Sequence, residues 1–329
     1  MTGDALAGAR RRIAARPAAD RIVEHLEACH DIRVTRLTRL DLGVYRVERS
    51  AGPAWVARVF PAIRPHDAAT GDAEILRALT DGGYECEALA APDPVSVLYG
   101  QSVLVTRFVD GVPRAGRRDA IRAAGGLRRL GEMLGELHTL PAGVPAMARP
   151  GGGWHHLVDG TAQDEVAAAE ALADDFAARV PAADAGAFAA LRAELAGLDD
   201  GAGLPTAFTH PDFVLRNVVA SAADGMTVID WTGAGTGPRA WTLAFLLWAE
   251  GARNLPRVDL VAAGYRRHVR LEPEELSRLP EMMRARRVVL AAWGYCLGRT
   301  SITDAVLAAV DARDVAEAAG PRAVAALRG

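Results

Sequence analysis

Thr209-His210-Pro211-Asp212-Phe213-Val214-Leu215-Arg216-Asn217, followed by Val228-Ile229-Asp230-Trp231, is the stretch on which the reading of this chain turns. Five positions separate Asp212 from Asn217, and eighteen separate Asp212 from Asp230. Strand-like pieces at 217–220 and 227–231 flank a turn at Asp224-Gly225. They read as a hairpin with a loop longer than the minimum, which can gather the three side chains. Two carboxylates and one amide oxygen are hard ligands suited to Mg2+, an ion that takes only one or two protein oxygens and leaves the rest of its shell to substrate phosphates. Asp212 or Asn217 alone would pass for a turn residue. The pair together with Asp230 does not. His210 reads as a hydrogen-bonding hub rather than a base, because Asp212 fits that role better.

A second constellation lies upstream. In Trp55-Val56-Ala57-Arg58-Val59-Phe60 the side chains of a strand alternate, so Arg58 shares a face with Val56 and Phe60. A charge between apolar neighbours needs a partner. Glu74, sixteen residues on, is the expected one. Residues 34–47, 55–60 and 102–109 read as strands, with a helix at 72–79 carrying Ile75, Leu76 and Leu79. Before them, 4–30 reads as a helix kinked near Pro17. After Gly111 the pattern turns helical: 126–140 with Leu127, Leu130, Leu134 and Leu137, then 165–180 and 185–198, and helices again from Trp241 to the end. The expected fold class is α+β, with a small antiparallel-sheet lobe and a larger, mostly helical lobe. The expected division is an N-terminal helical segment at 1–33, a sheet lobe at 34–110 and a helical lobe at 111–329.

Composition sets the outer limits. The chain has 329 residues and a formal net charge of −3, which leaves no basic excess for nucleic acid. No apolar run approaches the ~18 residues of a membrane span, and no apolar core follows the arginines of residues 1–12, so neither membrane nor signal peptide is expected. Cys29, Cys86 and Cys296 are odd in number and far apart. They read as reduced, buried thiols of a cytoplasmic protein. All 38 Lys+Arg residues are arginine, so any chemistry that ordinarily uses lysine must use arginine here. The arginine runs 10–12 and 284–287 read as solvated helix faces. Trp154-His155-His156 resembles a metal cluster only superficially.

These residues resemble the aminoglycoside phosphotransferase and choline kinase-like family, small-molecule kinases of the protein-kinase-like fold. The resemblance rests on His210, Asp212 and Asn217, on the Ile-Asp-Trp run at Asp230, and on Arg58 with Glu74. It also rests on Leu104-Val105-Thr106-Arg107-Phe108-Val109-Asp110-Gly111 as a hinge and Leu134-Gly135-Glu136-Leu137-His138 as the helix after it. It covers roughly 34–297. It implies a bilobal fold and an ATP-dependent O-phosphotransferase. Asp212 would orient or accept the proton of an acceptor hydroxyl, and Asn217 and Asp230 would hold Mg2+. Arg58, oriented by Glu74, would meet the α- and β-phosphates. Backbone groups of Arg107 and Val109 would bond adenine, with Thr106 deeper in the pocket, and the Leu42-Gly43-Val44-Tyr45 turn would cover the phosphates. The implied partner is a small-molecule hydroxyl acceptor, such as an aminoglycoside-type antibiotic, bound by a monomer or homodimer. A polycationic acceptor calls for acidic residues, for which Asp159, Glu250 and Asp259 are the candidates.

Four positions depart from the family pattern. Arg58 replaces a lysine, and the two are not interchangeable at a phosphate site. The turn at Gly43 is poor in glycine. Arg216 stands where a small residue is common; it could reach a phosphate or point to solvent, and solvent is the expected direction. Thr242 stands where an aspartate braces the catalytic loop. The Arg58 and Thr242 departures motivate one alternative, a non-catalytic nucleotide-binding, pseudokinase-like protein, and the open identity of the acceptor leaves another, a kinase of a sugar or amino alcohol metabolite.

Overall fold

The computed structural model describes residues 15–111, 125–141, 143–153, 160–220 and 225–329. Residues 10–12, 154–156 and Asp159 lie outside them. The first helix, α1 (Ala19–His30), precedes five strands: β1 (Val34–Asp41), β2 (Val44–Arg49), β3 (Trp55–Val59), β4 (Val95–Leu98) and β5 (Gln101–Arg107). Helix α2 (His66–Asp81) is inserted between β3 and β4. The sheet order is β1-β2-β3-β5-β4, antiparallel at each junction. The region read as one strand at 34–47 is a hairpin that turns at Leu42-Gly43. Gly43 has φ +74°, and a Cβ there would stand 2.5 Å from the Val59 carbonyl oxygen, so only glycine fits the turn. Strand β4 was missed in the sequence.

Strand alternation sorts β3. Trp55, Ala57 and Val59 are buried, and join Ile22 and Leu26 of α1 in one core with Val47, Val103 and Val105. Val56 and Arg58 face the other way, toward the helical part. On that side Phe60, Leu104 and the α2 residues Ile75, Leu76 and Leu79 belong to the core of the helical part.

The rest is mainly helical, with two short two-stranded sheets interrupting it. Helix α3 (Gly126–Thr139) buries Leu127, Leu130, Leu134 and Leu137 on one stripe; each fully buried leucine contributes roughly 1.5–3 kcal/mol. Helices α4 (Ala162–Ala177) and α5 (Ala185–Ala196) follow. Strand β6 (Thr206–Thr209) pairs with β9 (Gly235–Pro238), and β7 (Val218–Ala220) with β8 (Met226–Val228). Helices α6 (Arg239–Gly251), α7 (Pro256–Tyr265), α8 (Pro273–Cys296) and α9 (Ile302–Arg328) complete the chain. The three thiols are free, but only Cys296 is buried; Cys29 is exposed and Cys86 half-buried. Among the described residues no helix is long and apolar enough to cross a membrane.

Candidate active site

The loop after β6 is fixed by what it buries. Phe213, Val214 and Leu215 are in the core, which leaves Asp212 and Arg216 directed at the cleft between sheet and helices. A short 3-10 turn, Leu215–Asn217, delivers the chain into β7. In the β7–β8 hairpin Val218 pairs with Val228, and the Ile229 amide donates to the Asn217 carbonyl at 2.9 Å. That register sets Asn217 opposite Ile229, the residue before Asp230. The Asn217 amide Nδ2 donates to the Asp212 carboxylate at 2.8 Å and to the Asp212 carbonyl at 2.9 Å. The side-chain oxygen of Asn217 is thereby left as an acceptor.

His210 ties the two aspartate segments together. Its Nδ1 accepts from the Asp212 amide at 3.1 Å, so the proton sits on Nε2, which donates to the Ile229 carbonyl at 3.2 Å. The imidazole stands edge-on to Trp231, and burial holds its pKa down, so it is neutral. This is a bracing histidine.

Asp230 is held by three groups. Arg58 Nη1 lies 3.0 Å from its carboxylate, the Thr232 hydroxyl donates to the same oxygen at 3.3 Å, and its backbone amide donates to the Glu87 carboxylate at 2.7 Å. The Asp230 backbone sits at φ +70°, a left-handed conformation that aspartate tolerates better than most residues. Glu87 Oε2 accepts from the Thr106 hydroxyl at 2.8 Å. Burial raises the Glu87 pKa, against the pull of Arg58 and its two hydrogen bonds. Burial disfavours the Arg58 guanidinium in turn, but Asp230 and Glu87 outweigh this, and Arg58 titrates above its ordinary value.

The expected Arg58–Glu74 pair does not form. Glu74 is exposed on α2 and lines a separate groove with Thr70 and Gly71. Arg58 pairs with Asp230 instead. The buried acid of α2 is Asp72, bound by Arg64 at 2.7 Å and Arg149 at 2.5 Å. The reason is helical spacing: Asp72 lies four and seven residues before Leu76 and Leu79 on the apolar stripe, and Glu74 does not. Arg216 also departs from expectation. It donates to both Asp212 oxygens, at 2.8 and 2.7 Å, although its side chain remains 55% exposed.

Asp212, Asp230, Arg58 and Arg216 line one cleft of about 340 Å³ with Asp41, Leu42 and Val44 of the β1–β2 turn. Thr106, Leu104 and Glu87 line a small recess of about 10 Å³ that shares Arg58 and Thr232 with it. At the hinge the Arg107 amide already donates to the Ala88 carbonyl at 2.8 Å, so only its carbonyl remains for a ligand. Val109 is half-buried beyond it. Asp212 is disfavoured as an anion by burial, but Arg286 and Arg216 hold its pKa below the ordinary value. Arg286, read as part of a solvated face, is in fact 4% exposed and bonded to Glu165 at 2.8 Å. Thr242 is buried, and its hydroxyl has no hydrogen-bond partner among the described residues, so it does not brace the loop. Glu87 and Arg286 are the site residues that sequence reasoning missed.

Comparison with known proteins places this geometry. No curated protein matches the sequence significantly. Among solved structures, amicoumacin kinase hAmiN in complex with AMP-PNP, Ca2+ and Ami aligns with a TM-score of 0.63 at 14% identity, over 95% of each chain. Spectinomycin phosphotransferase APH(9)-Ia in complex with ADP and spectinomycin gives 0.61 at 14% identity, over 93% of this chain and 99% of that one. A choline/ethanolamine kinase family protein from Mesorhizobium loti gives 0.56 at 19% identity, over 98% of both. At such identities the likeness establishes the fold, the bilobal kinase-like architecture read from the sequence. The sequence model named APH, "Phosphotransferase enzyme family", matches residues 38–280, well over half of the chain. The chain therefore belongs to the phosphotransferase enzyme family, whose reaction carries a phosphoryl group to a hydroxyl.

Proposed function

We propose that the protein is a Mg2+·ATP-dependent O-phosphotransferase acting on a hydroxyl of a small molecule. The observation that carries this reading is the convergence of Asp212, Asp230 and Arg58 on one cleft, with Asn217 bonded to Asp212 behind it. Asp230 offers a carboxylate and Asn217 an amide oxygen, a hard donor pair of the kind Mg2+ accepts when phosphates supply the rest of its shell. These two residues would hold the cation, which when bound neutralises phosphate charge. Among the described residues no cluster of three or more His, Cys, Asp or Glu forms a metal cage, in keeping with a cation shared with its substrate.

Phosphoryl transfer asks the protein mainly for positioning and charge neutralisation. Asp212, held anionic by Arg216 and Arg286, orients the acceptor hydroxyl and takes its hydrogen bond. The acceptor oxygen forms a bond to the γ-phosphorus, the bond from that phosphorus to the β–γ bridging oxygen breaks, and ADP leaves with the electron pair. The hydroxyl proton passes to Asp212 and on to solvent. Arg58 is placed to meet nucleotide phosphate, because arginine binds phosphate as a planar fork. The β1–β2 turn covers the phosphates, and the Arg107 carbonyl with the Val109 amide receives adenine, beyond Thr106.

A second reading is favoured by two particular residues: arginine at position 58 and the unbonded hydroxyl of Thr242. It is a nucleotide-binding protein without transfer. Incubation with Mg2+·ATP and a panel of hydroxyl compounds, followed by mass spectrometry, separates the two. Phosphorylated product that disappears in Asp212→Ala supports the kinase. A Mg2+-dependent thermal shift with ATP but no product across the panel supports the second reading.

A further inference from the structure

Among the described residues the lining of the cleft holds more arginines than acids. Arg16, Arg58, Arg216, Arg286 and Arg299 line it, against Asp41, Asp212 and Asp230. Two of the cations serve the two catalytic aspartates: Arg58 lies on Asp230 and Arg216 on Asp212. Arg286 and Arg299 stand on the helical side, away from the β1–β2 turn. Arg286 sits on α8, with Leu290 one turn further along and also lining the cleft, and Arg299 follows the end of that helix. The Nε of Arg286 is buried without a hydrogen-bond partner among the described residues. Its partner Glu165 is fully buried, and among the described residues it does not line the cleft. Arg286 is also the foremost cation holding the Asp212 pKa down, so its field reaches the reacting end of the cleft.

Of the acids that a polycationic acceptor would call for, the two that lie among the described residues are engaged elsewhere. Glu250 is buried against Arg257 at 2.7 Å, and Asp259 is bonded to Arg322 on the surface; neither lines the cleft. Among the described residues the carboxylates that line the cleft are Asp41 on β1 and Asp212 and Asp230, each of the last two already paired with an arginine. A polyammonium compound would have to seat its charges against Arg286 and Arg299.

Resting on the phosphotransferase reading and deepening it, we propose that the acceptor carries an oxyanion, a carboxylate or a phosphate, beside the hydroxyl that is phosphorylated. The oxyanion seats against Arg286 and Arg299, the carbon skeleton lies on Leu290, and the hydroxyl points at Asp212. Guanidinium groups bind such oxyanions through paired, charge-assisted hydrogen bonds.

The test compares matched acceptors with Mg2+·ATP: gluconate and glucose 6-phosphate against glucose, with kanamycin as the cationic arm. The expected result is a kcat/KM at least about tenfold higher for one or both anionic sugars than for glucose. Gluconate alone would identify a carboxylate site, and glucose 6-phosphate alone a phosphate site. Arg299→Glu, an exposed position whose change spares the core, is expected to bring the anionic-to-neutral preference to about one or below. Equal or better turnover of glucose or kanamycin overturns the oxyanion site and leaves the phosphotransferase reading standing. So does an Arg299→Glu variant that raises KM for ATP alone with acceptor preference unchanged, because Arg299 would then serve the nucleotide. Binding of Mg2+·ATP with no acceptor of any class phosphorylated overturns both readings.

Discussion

Asp230 and Asp212 face the same cleft, yet they are held by opposite means. Asp230 is assembled from distant parts of the chain: Arg58 comes from the sheet, Glu87 from the segment between α2 and β4, and only Thr232 is a neighbour. The hydrogen bonds of Asp212 are local, from His210 two residues before it, Arg216 four after and Asn217 five after, and its distant contribution is the field of Arg286. The local set is a preformed loop that folds with its own turn. The distant set exists only when sheet and helices are docked, so it couples Asp230 to the fold as a whole.

The comparison is broken most severely at Asp212. Asp212→Asn keeps the size but removes the charge, and kcat is expected to fall by about 10²–10⁴. Nucleotide affinity, read by calorimetry, should stay within a few-fold of the parent. A parallel loss of ATP binding would mean that the local set also serves the nucleotide.

Next in size is a contrast within α2. Asp72→Ala strands two arginines and is expected to cost about 3–5 kcal/mol of unfolding free energy. Glu74→Ala should stay within about 0.5 kcal/mol and leave the KM for ATP unaltered. Denaturant titration of the two variants decides which acid the helix depends on. A large effect at Glu74 would restore its pairing with Arg58.

A smaller effect belongs to Glu87. Glu87→Ala removes the acceptor for the Asp230 amide and the Thr106 hydroxyl, with an expected cost of about 1–3 kcal/mol. It should also raise the Mg2+ concentration needed for half-maximal turnover. Lost stability with unchanged Mg2+ dependence would mean that Glu87 supports the fold and not the metal ligand.

Arg216→Ala is the mildest. An exposed ion pair contributes at most about 1 kcal/mol. Its signature is electrostatic. In the parent, Arg286 and Arg216 hold the Asp212 pKa below its ordinary value, so the carboxylate stays charged well into acid. Without Arg216 its pKa rises, and the acidic limb of the kcat/KM profile moves to higher pH. A limb that stays in place would show that Arg216 does not act on the reacting carboxylate.

The same division explains what could be read in advance. Most of the local set was legible because hairpin register and turn chemistry are sequence-near: Val218 opposite Val228 sets Asn217 against Ile229, the residue before Asp230, whereas Arg216 turns onto Asp212. The Arg58 partner was misread although a signal existed. Asp72, Leu76 and Leu79 share a helical face that excludes Glu74. Strand β4 carried a signal too, since Tyr99 and Gly100 both adopt left-handed φ in the two-residue turn to β5. Glu87 had none. It sits in irregular chain whose position is set by the Glu87 amide donating to the Val228 carbonyl, a contact across the fold. Arg286 looked like one charge in a basic run, but Met282, Met283, Val289 and Ala292 around it are all buried.

The most direct test of the account is a single-turnover measurement of γ-phosphoryl transfer from Mg2+·ATP, in the presence of a hydroxyl acceptor, by the parent and by Asp212→Asn at equal nucleotide occupancy. The account predicts a phosphorylated product from the parent and a transfer rate lower by about 10²–10⁴ in the variant. Equal rates from the two proteins would place the chemistry elsewhere and contradict it.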